Sequence, residues 1–118
     1  MKPAVDLTNL NDMIGDDSNL RAELFKEFIK SSEESLAILH ASCHEAAQET
    51  WRKESHSMKG ISLNLGAEAL GELCKMAQEH YTDTAAAKHG LLSQIEIEYF
   101  RVKDFLLAED VSRGDHKL

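Results

Sequence analysis

The sequence predicts an all-α fold, an antiparallel up-down four-helix bundle with a short additional N-terminal helix. Pro3 is the only proline, so no later residue forces a break in a helix. Strand signals are sparse, because the chain has no Asn-Gly or Asp-Gly hairpin turn and no sustained alternation of β-branched residues. Apolar residues instead recur at helical spacing through four long segments with short connections, which is the pattern of a bundle.

The first two helices are separated by Gly15, a typical residue for a helix C-terminus. The second helix has three candidate caps, Asp16, Asp17 and Ser18, and its apolar spacing predicts about eight turns that end near Ala47. We expect the short first helix to cover one end of the bundle. Its apolar residues are Leu7, Leu10, Met13 and Ile14.

The remaining three helices follow one another closely. The third covers about Thr50 to Leu65 and stops at Gly66, and the fourth begins directly afterwards. The fifth has Thr82 or Asp83 as its expected cap and runs to about Leu107. The fourth helix has core positions at Ala67, Leu70, Leu73, Cys74 and Ala77, and the fifth at Leu92, Ile95, Tyr99, Val102 and Leu106.

The length and composition are those of one soluble domain, residues 1–118, with a core at about 7–108 and a polar tail at 109–118. The formal net charge of -8 disfavours binding to nucleic acid or to anionic membranes. No apolar signal segment or membrane-spanning window is present. Cys43 and Cys74 are too few for a disulfide framework. We therefore expect a cytoplasmic protein, which can be monomeric.

A metal site is one interpretation of His40 and His44, which are four residues apart with Cys43 between them. A complete site needs a further ligand, which the sequence does not show. Two surface histidines near a helix end, with Cys43 in the core stripe, explain the pattern better, so we predict no metal.

The histidine of most interest is His56, in the third helix. On a helical wheel it lies about 160° from Met58, the centre of the core face, and so points to solvent. The residues that share the core face with Met58 are Trp51, Ile61, Ser62 and Leu65.

The neighbours of His56 suit phosphoryl chemistry. A neutral imidazole nitrogen can attack phosphorus, and the ammonium of Lys59, three residues later, can reach phosphoryl oxygens. Gly60 costs about 1 kcal/mol relative to alanine in mid-helix, and it leaves room for another protein. The alternative is an ordinary solvated face, on which Gly60 permits close helix packing.

The stretch Ser55 to Gln78, SHSMKGISLNLGAEALGELCKMAQ, resembles the signature of histidine-containing phosphotransfer (HPt) domains. That signature is roughly Ala-His-x-Leu-Lys-Gly, then Gly-Ala, then Leu, Cys and a Leu-Glu pair. The resemblance covers about residues 7 to 108. Ser55 replaces an alanine, and Ala77-Gln78 replaces Leu-Glu. We expect neither change to touch the phosphate chemistry, although the second could alter packing or the choice of partner. The matching residues are His56, Lys59, Gly60, Gly66, Ala67, Leu70 and Cys74.

The resemblance implies a phosphorelay intermediate. His56 would accept a phosphoryl group from a receiver-domain aspartate and pass it to another receiver, with Lys59 and Gly60 supporting the phosphate. The implied partners are receiver domains of response regulators and of a hybrid histidine kinase. The receiver would supply Mg²⁺, and the chain itself would need no cofactor. The expected partner-binding residues are Arg52, Lys53, Leu63 and Asn64.

Two other interpretations remain open at the level of sequence. The chain has no nucleotide-binding loop, so it would be a phosphocarrier without ATP-dependent kinase activity of its own. It could instead be a non-catalytic helical module that sequesters a receiver or kinase, or a purely structural bundle. Phe25, Ile29 and Leu36 widen the apolar face of the second helix, and they could contact the first helix or form an apolar rim near His56 for a partner.

Overall fold

A computed structural model of the chain describes residues 3–112, and within that range it is helical with no strand. A single 3-10 turn, Glu45–Ala47, lies between the second and third helices. The α-helices are α1 Thr8–Ile14, α2 Ser18–Ala41, α3 Gln48–Leu65, α4 Glu68–Glu79 and α5 Ala85–Ser112. None of the described helices combines the length and the apolar character that crossing a membrane requires.

The four long helices form the expected bundle. The most extensive contact joins α3 and α4, and contacts of α2 with α3, α4 with α5, and α2 with α5 complete the ring. The expected positions of α5 all lie in the core, while Leu73 of α4 is only half-buried. The side chains that are fully buried include Phe25, Leu39, Trp51, Met58, Leu70, Cys74, Leu92, Ile95, Tyr99, Val102 and Leu106.

The prediction that α2 continues to about Ala47 is wrong, because the helix ends at Ala41. The side chain of Ser42 donates a 2.8 Å hydrogen bond to the Ile38 carbonyl, and its backbone N–H also bonds back to the last turn. A serine that satisfies helix carbonyls in this way competes with continuation of the helix. The chain then makes its 3-10 turn before α3 begins.

The fifth helix also differs from its predicted limits. The hydroxyl of Thr84 accepts a 3.2 Å hydrogen bond from the Ala87 N–H, so Thr84 is the N-terminal cap rather than Thr82 or Asp83. The helix continues to Ser112, beyond the predicted end near Leu107. The expected polar tail is therefore helical over 109–112, and residues 113–118 lie outside the described part of the chain.

Polar contacts link the helices at several levels of the bundle. Glu33 of α2 accepts hydrogen bonds of 2.8 Å from the Tyr99 hydroxyl and from Lys103 Nζ of α5. These two donors lower the pKa of the Glu33 carboxyl. The indole N–H of Trp51 donates 2.8 Å to the Ala77 carbonyl and ties α3 to α4. Lys88 is fully buried, with its ammonium 5.4 Å from the centroid of the Trp51 ring, a cation–π contact.

The cysteines are both free thiols. Cys74 lies in the core, and burial raises its pKa to about 12. Burial also raises the pKa of Cys43, although Lys88 opposes this. Both side chains therefore remain protonated at neutral pH and act mainly as small apolar groups.

The turn between α3 and α4 depends on Gly66. Its φ of 99° is left-handed, and its N–H bonds to the carbonyls of Ser62 and Leu63 at the end of α3. The Gly66 carbonyl also accepts a 2.9 Å hydrogen bond from the Asp6 N–H, so the segment before α1 is joined to this turn. A β-carbon at position 66 would overlap the Asp6 carbonyl oxygen.

We expect Gly66→Ala to lower the free energy of unfolding by roughly 2 kcal/mol or more, because it combines a strained φ with a backbone clash. Gly60→Ala is the matched control, since a β-carbon at position 60 meets nothing within 4 Å. In a helix interior it should raise stability by about 0.5–1 kcal/mol. Urea unfolding followed by circular dichroism would measure both, and equal effects would contradict this explanation of Gly66.

Candidate functional site

His56 projects from the outer surface of α3, as the helical wheel predicted. The imidazole is exposed, whereas Met58 and Ser62 on the opposite side of the helix are completely buried. Ile61, which was expected on the core face, is only half-buried. His56 is therefore available to another molecule while α3 is held in place by its buried side.

The imidazole is oriented by a residue of the next helix. His56 Nδ1 lies 3.3 Å from the Oε1 of Gln78 on α4. An amide oxygen only accepts hydrogen bonds, so this contact favours the tautomer with the ring proton on Nδ1. In that tautomer the lone pair is on Nε2. The contact prepares Nε2 as a nucleophile.

Lys59 and Gly60 both lie next to His56, one turn further along α3. Lys59 is half-buried and makes no ion pair or hydrogen bond with any residue that the structure describes, so its ammonium can meet an incoming anion. Gly60 has open space where a β-carbon would lie. Close packing inside the bundle therefore does not explain this glycine.

Arg52 and Lys53 lie one turn before His56 and differ in their availability. The Nε and Nη2 groups of Arg52 both donate hydrogen bonds to the carboxylate of Glu49. This pairing lowers the pKa of Glu49 and raises that of Arg52. Lys53 is exposed, and no described residue pairs with it. Part of the expected cationic surface is therefore neutralised within the molecule.

Leu63 and Asn64 are about 100° apart around α3 and face different neighbouring helices. Leu63 is 48% exposed and also packs on Gly71 of α4, where a β-carbon would come within 2.5 Å of Leu63 Cδ2. Asn64 is exposed and faces α1 and α2. Successive steps of four residues place His56, Gly60 and Asn64 in one row along α3.

The row that starts at His56 leads to an apolar groove of about 360 Å³ between α1, α2 and α3. Its rim includes Met13 and Leu24, both of which are exposed. The groove is lined by Leu10, Met13, Leu24, Glu27, Phe28, Ser31, Ile61, Asn64 and Leu65.

The residues suggested by the sequence for an apolar rim lie elsewhere. Phe25 and Leu36 are buried in the core. Ile29 lines a different groove, between α2 and α5. The apolar surface next to the row of His56, Gly60 and Asn64 is formed instead by the groove between α1, α2 and α3, which includes Leu24.

The histidines at the end of α2 do not form a metal site within residues 3–112, where no group of three or more potential ligands comes together. His40 Nε2 lies 3.0 Å from the Glu96 carboxylate of α5. His44 lies beyond the end of α2, so the two histidines do not share the helix face that their spacing suggested.

Gln78 is the residue in contact with His56 that the sequence analysis did not include in the site. The change from Glu to Gln in the fourth helix was expected to leave the chemistry unaffected, but the amide contacts the imidazole directly. The contact arises because α3 and α4 pack with His56 and Gln78 at the same level, and its effect on phosphotransfer stays a prediction.

Comparisons with known proteins agree with the fold and the sequence signature. A family model described as the Hpt domain matches residues 23–111. The crystal structure of histidine-containing phosphotransfer protein B (HptB) from Pseudomonas aeruginosa PAO1 matches with a TM-score of 0.80 and 29% sequence identity. The match covers 92% of this chain and 96% of that one. A search of curated proteins found no match.

We expect Gln78→Glu to raise the pKa of His56, because a carboxylate beside Nδ1 stabilises the imidazolium. Gln78→Leu removes the acceptor and should shift the neutral ring away from the Nδ1–H tautomer. Gln94→Glu is the matched control, because it adds the same negative charge at an exposed position on α5. Long-range ¹H–¹⁵N spectra of the imidazole across a pH series report both the pKa of His56 and the tautomer of its neutral ring. A pKa of His56 that moves equally in Gln78→Glu and Gln94→Glu would rule out the specific contact.

Proposed function

Because the chain belongs to the Hpt domain family and acts in histidine phosphotransfer within a two-component phosphorelay, we propose that His56 is the residue that carries the phosphoryl group. The observation that supports this assignment is the contact of Nδ1 with Gln78, which leaves Nε2 of an exposed imidazole to act as the nucleophile, one helical turn from Lys59. His56 also lies within the matched residues 23–111.

The reaction needs little from this chain beyond position and charge. The lone pair of Nε2 attacks the phosphorus of a receiver's aspartyl phosphate. The P–O bond breaks, and its electron pair leaves with the aspartate carboxylate. The proton on Nδ1 remains in place, held by Gln78, so the step requires no proton transfer. The reverse reaction delivers the group to another receiver aspartate.

Lys59 and Gly60 have distinct roles in this proposal. The Lys59 ammonium stabilises the negative charge of the phosphoryl oxygens from the α3 side. Gly60 removes the side chain that would stand between His56 and the surface of the partner. Its cost in helix stability is otherwise unexplained, because no internal contact requires a glycine there.

The receiver would dock along the row of His56, Gly60 and Asn64. The apolar groove beyond Asn64 suits an amphipathic helix of the receiver, a common mode of recognition. Lys53 and the exposed part of Leu63 would flank the histidine on either side. Arg52 would contribute after exchanging its pairing with Glu49 for a partner carboxylate.

The partners proposed are receiver domains of response regulators and of a hybrid histidine kinase. Their acidic pocket would bring the Mg²⁺, and the phosphoryl group would arrive from them rather than from ATP. The alternative function, a module that only sequesters a receiver, does not require an oriented and accessible imidazole. The contact with Gln78 therefore favours the phosphocarrier.

His56→Gln should abolish phosphorylation. After incubation with a phosphorylated receiver and Mg²⁺, the unaltered protein should carry acid-labile, base-stable phosphate, as expected of phosphohistidine. His89→Gln, at an exposed position on α5, is the matched control and should retain the full amount. Equal labile phosphate on His56→Gln and the unaltered protein would contradict the assignment of His56.

Gly60→Gln should slow transfer from the receiver by more than about tenfold, because its side chain occupies the space that docking needs. Its folding should be preserved, since glutamine is the better helix former. Gly90→Gln on α5 is the matched control, because a β-carbon at position 90 also meets nothing within 4 Å. Rapid-quench transfer kinetics together with thermal unfolding would separate the two effects, and normal transfer by Gly60→Gln would exclude the steric role.

A further inference from the structure

A second lysine lies near the imidazole, on the neighbouring helix. Lys75 precedes Gln78 by three residues on α4, which makes the two side chains neighbours on one face of the helix. Gln78 in turn contacts His56. Lys59 follows His56 by three residues on α3. His56 and Gln78 therefore each have one lysine three residues away on the same helix.

The packing of α3 against α4 places these two lysines opposite each other. His56 meets Gln78, and Leu63 meets Gly71, so the helices run antiparallel with one constant register between these two levels.

On α3, Lys59 lies between His56 and Leu63, three residues after His56. On α4, Lys75 lies between Gly71 and Gln78, three residues before Gln78. The two lysines therefore lie at one level, one on each side of the junction between α3 and α4. Both lie one turn from the level of the imidazole.

The charge of Lys75 is available. Its side chain is exposed, and it makes no hydrogen bond or ion pair with any residue in the described part of the chain. Arg52 differs, because Glu49 occupies its donors. The lysine stem is flexible and carries a compact ammonium, so it can follow an anion bound at His56.

We propose that Lys75 is a second cation of the phosphotransfer site, contacting the phosphoryl oxygens on His56 Nε2 from the α4 side. The inference rests on the assignment of His56 as the phospho-acceptor. During transfer, the Nε2–P bond forms and the P–O bond to the receiver aspartate breaks. Lys59 and Lys75 then face the three equatorial oxygens from two helices, and together they balance the charge of the dianionic phosphoryl group.

The proposal is tested with Lys75→Gln, alongside Lys59→Gln as the comparator. Lys30→Gln is the matched control, since Lys30 is an exposed lysine of α2 that lines the groove shared with α5 and pairs with no residue between 3 and 112. We expect Lys75→Gln to slow transfer from a phosphorylated receiver by about fivefold, and Lys30→Gln to leave the rate unchanged. Lys75→Arg, which retains the positive charge, should recover most of the rate.

Two receiver-free measurements show whether Lys75 touches the phosphoryl group. Phosphorylation by phosphoramidate, a small phosphoryl donor, should also slow in Lys75→Gln. In ³¹P spectra, the phosphoryl group on His56 should titrate at a higher pH in this variant, because a neighbouring cation lowers its pKa. A loss confined to the receiver reaction would make Lys75 a docking residue and overturn the proposal.

The outcomes also separate this inference from the function on which it rests. Normal kinetics and an unchanged ³¹P titration in Lys75→Gln, with no phosphate on His56→Gln, would exclude a role for Lys75 while leaving His56 as the acceptor. Labile phosphate on His56→Gln would overturn the assignment of His56 itself.

Discussion

The packing of α3 against α4 is the constraint on which the site depends, and the left-handed turn at Gly66 sets it. A turn this short forces the two helices to be antiparallel neighbours and fixes which residues meet. Leu63 lies on Gly71 near the turn, His56 meets Gln78 at mid-height, and the Trp51 indole bonds to the Ala77 carbonyl beyond it. Because the buried contacts fix the register of α3 against α4, the exposed contact between His56 and Gln78 does not have to stabilise this packing.

A rigid support for an exposed histidine is the main consequence of this packing. One side of α3 is buried, and the contact between Ser35 of α2 and Glu54 of α3, at 2.7 Å, holds the helix from the other flank. The imidazole thus receives its orientation from α4 and its position from the bundle. A group that must be presented to different partners benefits from such preorganisation, because little ordering remains to be done when a partner binds.

The charge distribution of the protein is uneven in a way that serves the site. The chain is acidic overall, with a formal net charge of -8, yet Lys53 and Lys59 lie within one turn of His56 on α3, and neither forms a hydrogen bond or ion pair with a described residue. Acidic surfaces elsewhere keep the protein soluble, while local cations attract a phosphorylated or acidic partner surface to one face. Such steering is sensitive to ionic strength, because exposed charges are screened.

The sequence by itself determined the fold class, the outward direction of His56 and the resemblance to the HPt family, since helical periodicity and a local motif depend on residues close together in the chain. It misplaced the end of α2 and the cap of α5, because Ser42 and Thr84 act through hydrogen bonds that apolar spacing does not reveal. Only the tertiary structure showed that Gln78 orients the imidazole. Such a contact joins residues on two different helices, and its geometry depends on how those helices pack rather than on the pattern within either one.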